Sequence, residues 1–384
     1  MVPVSHIELN LKALKQNITY LKNRIGNSVF VSVIKGNAYG HGIEYYLPLA
    51  EECGVKYFAI SDSTEAERAF KVKKKETKLI ILNAIDNKDL DFAIEKEIGY
   101  YVFNFDRLYS TVEVAKKINK KAKIHIELET GLNRTGFSKD EIKKVIEIIG
   151  KNREYFHIEG VCTHFAGAES IANYLRIQNQ KELFKEIKFL LEENNIKPDF
   201  YHSACSAAAL TYPDTTMDMV RFGIAQYGFW PSKETRMYNL LSDKADFTRD
   251  PLNRVLSWKS KVISIKHVPA GEFIGYGNNY LANTNMRIAI IPIGYYHGYS
   301  RSLSNLGYVL IKNSKAPVVG MVNMNMLIVD VTHIKDVIIE DEVVLIGKQG
   351  KHSITIASFA ELSNYVNYEL LVRLPYEIPR VVIR

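Results

Sequence analysis

The chain has little of what small secreted, metal-bound or membrane proteins depend on. Its three cysteines, Cys53, Cys162 and Cys205, are odd in number, far apart and never paired as CxxC. Neither a disulfide framework nor a metal site is implied. No apolar run approaches the roughly 18 residues needed to span a bilayer. The first residues, MVPVSHIELN, lack the basic and long apolar regions of a signal peptide, so a reducing cytoplasm is the expected compartment. There is no internal repeat, low-complexity tract or flexible linker. The net charge of +7 hints at acidic partners, but the excess lies mostly in lysine-rich stretches such as KVKKKETK (71–78) and EIKKVIEIIGKNR (141–153). These read as solvated helix faces without interleaved aromatic side chains, so neither nucleic acid nor a membrane is an expected partner.

What is present is a regular alternation. Over 384 residues, 47% hydrophobic and 24% charged, the chain has ordinary globular composition and enough length for two or three domains. β-Branched runs appear at VFVSVIK (29–35), YFAIS (57–61), KLIILN (78–83), YYVFN (100–104), KIHIEL (123–128), HIEGVCT (157–163), DFYHS (199–203) and DMVRF (218–222). Amphipathic helical stretches such as STEAERAFKVKK (63–74) and KELFKEIKFLLEENN (181–195) fill most gaps. An open doubly wound sheet shows the same local alternation. Eight strands, and no GxGxxG turn after the first, favour a (β/α)8 TIM barrel over residues 10–243.

Beyond about residue 245 the runs RVLSWKSKVISIKHV (254–268), RIAIIPIGY (287–295), YVLIKN (308–313), APVVGMV (316–322), MLIVDVT (326–332) and DEVVLIG (341–347) follow one another with short turns. They predict a C-terminal all-β domain over 244–384, with one possible helix at TIASFAELSNY (355–365). The boundary is expected within the polar LLSDKADFTRDP (240–251), which closes on Asp-Pro.

In a barrel of this kind function gathers where strands end. The first strand ends in Lys35, followed by GNAYGHG. Arg134 lies in the loop after the fifth strand, His164 closes the sixth, Ser206 follows the seventh, and Arg221 ends the eighth ahead of Gly223 and Ile224. Each has a bland alternative: a snorkelling lysine, structural arginine ion pairs, a satisfied core histidine, an ordinary glycine turn. Together they suit an anionic, electrophilic cofactor. A lysine amine kept neutral can form a Schiff base. Backbone N–H groups with a serine hydroxyl can cradle a phosphate, and arginine can grip a carboxylate.

The motifs VIKGNAYGHG (33–42), TGLNRTGF (130–137), THFAGAE (163–169), HSACSAAAL (202–210), VRFGIAQYG (220–228), GYGNNY (275–280), PIGYYHGY (292–299), PVVGMVNMN (317–325) and PYEIPR (375–380) resemble, in order and spacing, those of the alanine racemases. The resemblance implies a fold-type III pyridoxal 5'-phosphate enzyme that interconverts L- and D-alanine, working as a homodimer with shared active sites. It also implies that the N-terminal strand (1–9) packs near the C-terminal domain. Lys35 would carry the cofactor as an aldimine. Tyr39, Ser206, Gly223, Ile224 and Tyr376 would hold its phosphate, with Arg221 facing the pyridine nitrogen and His164 beside the ring. Tyr276 of the partner subunit would be the second catalytic base, its phenolate favoured by a hydrogen-bond chain through His164 to Arg221. Arg134, Met324 of the partner subunit and Tyr295 would bound the substrate space.

Some positions depart from the family pattern. Glu127 stands where many members have a lysine, sometimes carbamylated, and would orient Arg134 as that carbamate does. Cys205, in place of an asparagine, reads as a packing residue. Met321 and Asn325 replace an arginine and an aspartate near the active-site entrance, and His297 and Glu377 are also unusual. Loss of a charged gate keeps open a broad-specificity, basic-amino-acid (lysine, arginine or ornithine) or serine racemase of the same fold, although Tyr376 argues for a small substrate. A basic-amino-acid decarboxylase is disfavoured because all three cysteines lie in the barrel. A single-barrel regulatory protein is disfavoured by the C-terminal domain and its tyrosine.

Overall fold

The computed structural model describes residues 4–83, 85–242, 250–356 and 367–384. The chain forms two compact units, Ala13–Gly36 with Leu47–Asn253, and Met1–Lys12 with Asn37–Tyr46 and Arg254–Arg384. The strands, in chain order, begin with β1 (Ser5–Asn10), followed by eight that form the first unit's sheet. These are β2 (Val29–Val33), β3 (Tyr57–Ile60), β4 (Lys78–Ile81), β5 (Gly99–Val102), β6 (Ala122–Glu127), β7 (Phe156–Cys162), β8 (Phe200–His202) and β9 (Met219–Phe222).

All neighbours in this sheet are parallel, in the order β8-β7-β6-β5-β4-β3-β2-β9. The outer strands meet through Asp218 N–H to Tyr201 O (3.1 Å) and Arg221 N–H to Ala204 O (3.0 Å), with a single bridge at Cys205 and Arg221. The result is an eight-stranded barrel with helical crossovers, and every strand coincides with a run read from the sequence. The β-branched runs suit strands buried on both faces. The helices bury one stripe. Ile142–Lys151 turns Ile142, Val145, Ile148 and Ile149 inward, each such side chain contributing roughly 1.5–3 kcal/mol of burial. Caps set their limits: Asp62 accepts from Glu65 N–H (3.1 Å), Asn104 accepts from Arg107 N–H (2.9 Å), and Asn119 ends its helix in the left-handed region. Among the described residues no helix is long and apolar enough to cross a membrane.

The second unit is strand-rich: β10 (Leu256–Lys261), β11 (Ser264–Val268), β12 (Met286–Ile291), β13 (Tyr308–Ile311), β14 (Ser314–Pro317), β15 (Leu327–Asp330), β16 (Glu342–Gln349), β17 (His352–Ile354) and β18 (Arg380–Ile383). One sheet runs β14-β13-β16-β10-β1-β18, with β17 on β16, and a smaller one runs β11-β12-β15. The N-terminal β1 lies antiparallel to β10 and parallel to β18. Trp258 is fully buried in this sheet, its indole N–H donating to Ser5 Oγ (2.8 Å). The run at 316–322 is strand only to Pro317; beyond it a single bridge joins Val318 to Val329. Most of the possible helix at 355–365, and residues 243–249 beside the expected domain boundary, lie outside the described residues.

Candidate active site

Lys35 begins where β2 has ended, and its position is fixed from behind. The Val33 carbonyl accepts from Gln226 Nε2 and Tyr227 Oη, each at 2.9 Å, and Ile34 N–H donates to Ala59 O (2.7 Å). The helical turn Lys35–Tyr39 is then left-handed, with φ of +62° at Gly36, +55° at Asn37, +54° at Ala38 and +50° at Tyr39. Non-glycine residues enter that region at a cost of roughly 1–2 kcal/mol each. Two backbone bonds hold the turn, His41 N–H to Ala38 O (3.0 Å) and Gly42 N–H to Asn37 O (2.9 Å). Gly40 follows because a Cβ there would run into the Leu371 carbonyl.

Around the Lys35 amine the barrel's carboxyl end gathers cations. Burial first, then the charges of Arg134 and Arg221, push the Lys35 amine below its ordinary range, while Glu65 opposes them. An amine so placed is more readily neutral and nucleophilic. His164, two residues past β7, is pushed down to about 3 by burial and by Arg221, Arg134 and Lys35. It is therefore a neutral imidazole at physiological pH.

Arg221 on β9 is buried, and the four N–H bonds of its terminal nitrogens all have acceptors. Nη1 donates to His202 Nδ1 (2.5 Å) and His202 O (3.2 Å), and Nη2 to Thr163 O (2.8 Å) and Ser203 O (3.0 Å). Among the described residues only its Nε–H is left for a ligand. The hydrogen bond expected between His164 and Arg221 is not formed. His202, at the end of β8, takes that place because its ring reaches the guanidinium inside the barrel, and the link to His164 is electrostatic alone.

Arg134 is exposed, in a loop tied down by Glu129, which accepts from the N–H groups of Gly131 and of Arg134 (3.2 Å for the latter). Glu127 ends β6, buried. Burial raises its carboxyl above the ordinary range, opposed by a hydrogen bond from Thr135 and by the Arg134 charge. The loop carrying His164 is held by Gln180, whose Nε2 donates to His164 O (3.0 Å) and whose Oε1 accepts from Ala166 N–H (2.9 Å). Ser206 opens the short helix after β8, and its Oγ accepts from Gly223 N–H (2.9 Å), which sets the two beside Ile224 at the next turn. The structure thus brings Lys35, Glu127, Arg134, His164, Ser206, Arg221, Gly223 and Ile224 to one end of the barrel.

The remaining expected residues belong to the second unit. Tyr376 and Gly40, the residue after Tyr39, are linked there through buried Arg380, whose Nη1 donates to the Tyr376 carbonyl (2.9 Å) and Nη2 to the Gly40 carbonyl (2.8 Å). Tyr276, 73% exposed, sits at the tip of a hairpin loop closed by Ile274 N–H to Tyr280 O (2.9 Å). Beneath that loop Ile274 packs with Ala282, Met286, Ile288 and Val319. Tyr295 and Met324, both exposed, lie on adjoining loops joined by Tyr295 N–H to Asn323 O and Tyr296 N–H to Met324 O, each 3.0 Å.

His202, Gln180, Gln226, Tyr227 and Arg380 were not singled out by the sequence. All but Gln180 lay inside motifs already noted, HSACS, IAQYG and PYEIPR, but a partner across the barrel cannot be read from spacing.

Family models match on both sides of the chain: the alanine racemase N-terminal domain over residues 9–231 and the alanine racemase C-terminal domain over 255–382. An alanine racemase of Leptospira interrogans is 32% identical over 383 residues, covering 99% of this chain and 96% of the relative. The crystal structure of alanine racemase from Bacillus anthracis with bound L-Ala-P is 30% identical with a TM-score of 0.89, covering 100% of this chain and 96% of that one. The alanine racemase structure from Bartonella henselae, which carries covalently bound pyridoxal phosphate, shares the fold at 24% identity and a TM-score of 0.84, covering all of both chains. The chain belongs to the alanine racemase family, whose members are pyridoxal-phosphate-dependent amino-acid racemases.

Proposed function

We propose that this chain interconverts L- and D-alanine, with pyridoxal 5'-phosphate held at the carboxyl end of the barrel. The observation that carries the reading is the Lys35 amine, held below its ordinary pKa by burial and two guanidinium groups. The donor set around it fits the cofactor: an amine for an aldehyde, a serine hydroxyl beside a backbone N–H for a phosphate, and an arginine Nε–H for a ring nitrogen. Residues 10–243 act as the cofactor-binding barrel and 244–384 as the domain offered to a partner subunit.

Bound there, pyridoxal phosphate supplies an aldehyde and a conjugated ring that withdraws electrons from the substrate's Cα. Ser206, Gly223 and Ile224, with Tyr39 and Tyr376, would hold its phosphate, and His164 would flank the ring. Arg221 cannot give up a proton, so it would leave the ring nitrogen unprotonated and restrain side reactions such as transamination. Arg134 orients the substrate carboxylate, and Glu127 orients Arg134 through Thr135 and through charge. The Lys35 amine takes or returns the α-proton on one face, and Tyr276 of the partner subunit does so on the other. Two bases on opposite faces racemise the centre without turning the substrate over. Met324 of the partner subunit and Tyr295 limit the side chain that fits. The enzyme works as a homodimer in the cytoplasm and supplies D-alanine for peptidoglycan precursors.

Single enantiomers of alanine, serine, lysine, arginine and ornithine, incubated with the purified yellow enzyme and analysed on a chiral column, test this. Alanine should yield both enantiomers from either starting form with the highest kcat/KM, and Lys35→Ala should abolish both turnover and the visible band. Racemisation of another member of the panel with alanine left untouched would overturn the alanine assignment.

A further inference from the structure

Three buried groups inside the barrel have no part in the chemistry described above, yet they form one chain ending on Arg221. Glu159 lies on β7, His125 on β6 and His202 at the end of β8, all buried. Arg221 Nη1 meets His202 Nδ1 at 2.5 Å, His202 Nε2 meets His125 Nδ1 at 2.9 Å, and His125 Nε2 meets Glu159 Oε2 at 3.3 Å.

The direction of every proton in this chain follows from its ends. A guanidinium only donates, so His202 Nδ1 must accept. Burial and the Arg221 charge keep His202 neutral, pushed well below its ordinary range. Its one proton is then on Nε2 and is donated to His125 Nδ1, so the His125 proton is on Nε2 and points at Glu159. Burial works against the Glu159 carboxylate, but the hydrogen bond from His125 and the Lys123 ammonium hold it below its ordinary range, so it stays an acceptor. Read from the opposite end, the carboxylate demands the same proton on His125 Nε2.

The backbone is shaped around this chain. In the β6–β7 ladder Ile124 faces Ile158 but His125 faces Gly160, so Glu159 is the extra residue of a bulge. A Cβ at Gly160 would fall on His125 Nδ1, and one at Gly99 would lie 2.6 Å from Glu159 Oε2 and 3.2 Å from His125 Nε2. A bulge and two missing side chains make the space in which an imidazole and a carboxylate fit.

We propose that His125 and Glu159 are positioning residues of the active site: the Glu159 carboxylate fixes the tautomers of His125 and His202, so that Arg221 always finds a lone pair at His202 Nδ1. Without that acceptor the His125 proton can move to Nδ1, which turns His202 over to a proton on Nδ1, donor against donor at Arg221. The consequence for the cofactor ring rests on the Arg221 role proposed above; the proton order does not.

The test is 15N NMR of the full-length chain labelled at histidine, with and without pyridoxal phosphate, the His202 signals being identified by their loss in His202→Gln. In the wild type, His202 should be unprotonated at Nδ1 and protonated at Nε2. Glu159→Gln, which keeps an acceptor oxygen, should preserve that order, and Glu159→Met should lose it. Alanine kcat should fall about tenfold in Glu159→Met with KM little changed, as for a misplaced charge-assisted hydrogen bond, and recover in Glu159→Gln. A proton on His202 Nδ1 in the wild type, or a Glu159→Met variant with unchanged tautomers or unchanged kcat, would overturn the proposal. Should Glu159→Met not fold, the wild-type spectrum still decides the order. His125→Gln, whose amide can accept from His202 and donate to Glu159, should then keep it. A chain that racemises alanine but lacks this proton order refutes the relay alone; one with the order but without turnover refutes the function alone.

Discussion

Residues in this protein are set by their electrostatic surroundings more than by their type. His164 is held near pKa 3 by burial and three cations, and His41 reaches about 3 through burial, with a smaller push from Arg380. Both stay neutral in the folded chain, whereas the unfolded chain protonates them around 6.5. Above that pH their stabilising contribution is fully present. Below it the unfolded state gains protons that the folded state refuses, so stability declines as pH falls from 6.5 towards 3. The limiting slope is about 1.4 kcal/mol per pH unit for each histidine. Urea midpoints at about pH 7.5 and about pH 5 measure this. The midpoint should drop at the lower pH, and the drop should be smaller in His164→Asn; an equal drop in that variant would contradict the pKa assigned to His164.

At the scale of elements, what positions the site is a set of polar ties from helices and turns to strand ends. Gln180, buried on the helix Tyr174–Glu193, reaches the His164 carbonyl, the Ala166 N–H and Thr130 Oγ1. Among the described residues Gln180→Ala leaves the first two without hydrogen-bond partners, at a cost of about 2 kcal/mol or more. A thermal melt should show a clearly lower Tm, and an unchanged Tm would show that the helix does not hold that loop. The barrel strands were legible in the sequence because runs such as KLIILN and KIHIEL carry β-branched residues between recognisable helical periods. Lys35, Arg134, Ser206 and Arg221 were legible as chemistry at strand ends. The left-handed turn was not: Gly36 and Asn37 tolerate positive φ, but nothing in the letters of Ala38 and Tyr39 announces it, and the backbone bonds that close the turn are not visible in the sequence. The partners of His125 were equally hidden, since they depend on a one-residue bulge and on which side chains meet across a closed barrel. The short β17 and β18 gave no periodic signal at all.

For the whole molecule, the proposed second base is an exposed phenol, and Tyr295, Tyr296, Met324 and Met326 of the same unit are exposed as well. Large apolar side chains left in water are the expected mark of a surface covered by another chain, and an isologous dimer covers the same patch on both copies. In such a dimer each site takes Lys35 from one chain and Tyr276 from the other. Chains carrying Lys35→Ala and chains carrying Tyr276→Phe are each expected to be inactive, or nearly so, as purified dimers. Mixed, dissociated and allowed to reassociate with pyridoxal phosphate, they should recover about one quarter of the wild-type alanine racemisation rate, because half the dimers are mixed and each mixed dimer has one intact site. Recovery to that level is the result expected of two bases donated by different subunits. No recovery, from dimers shown by mass spectrometry to have exchanged chains, would contradict it.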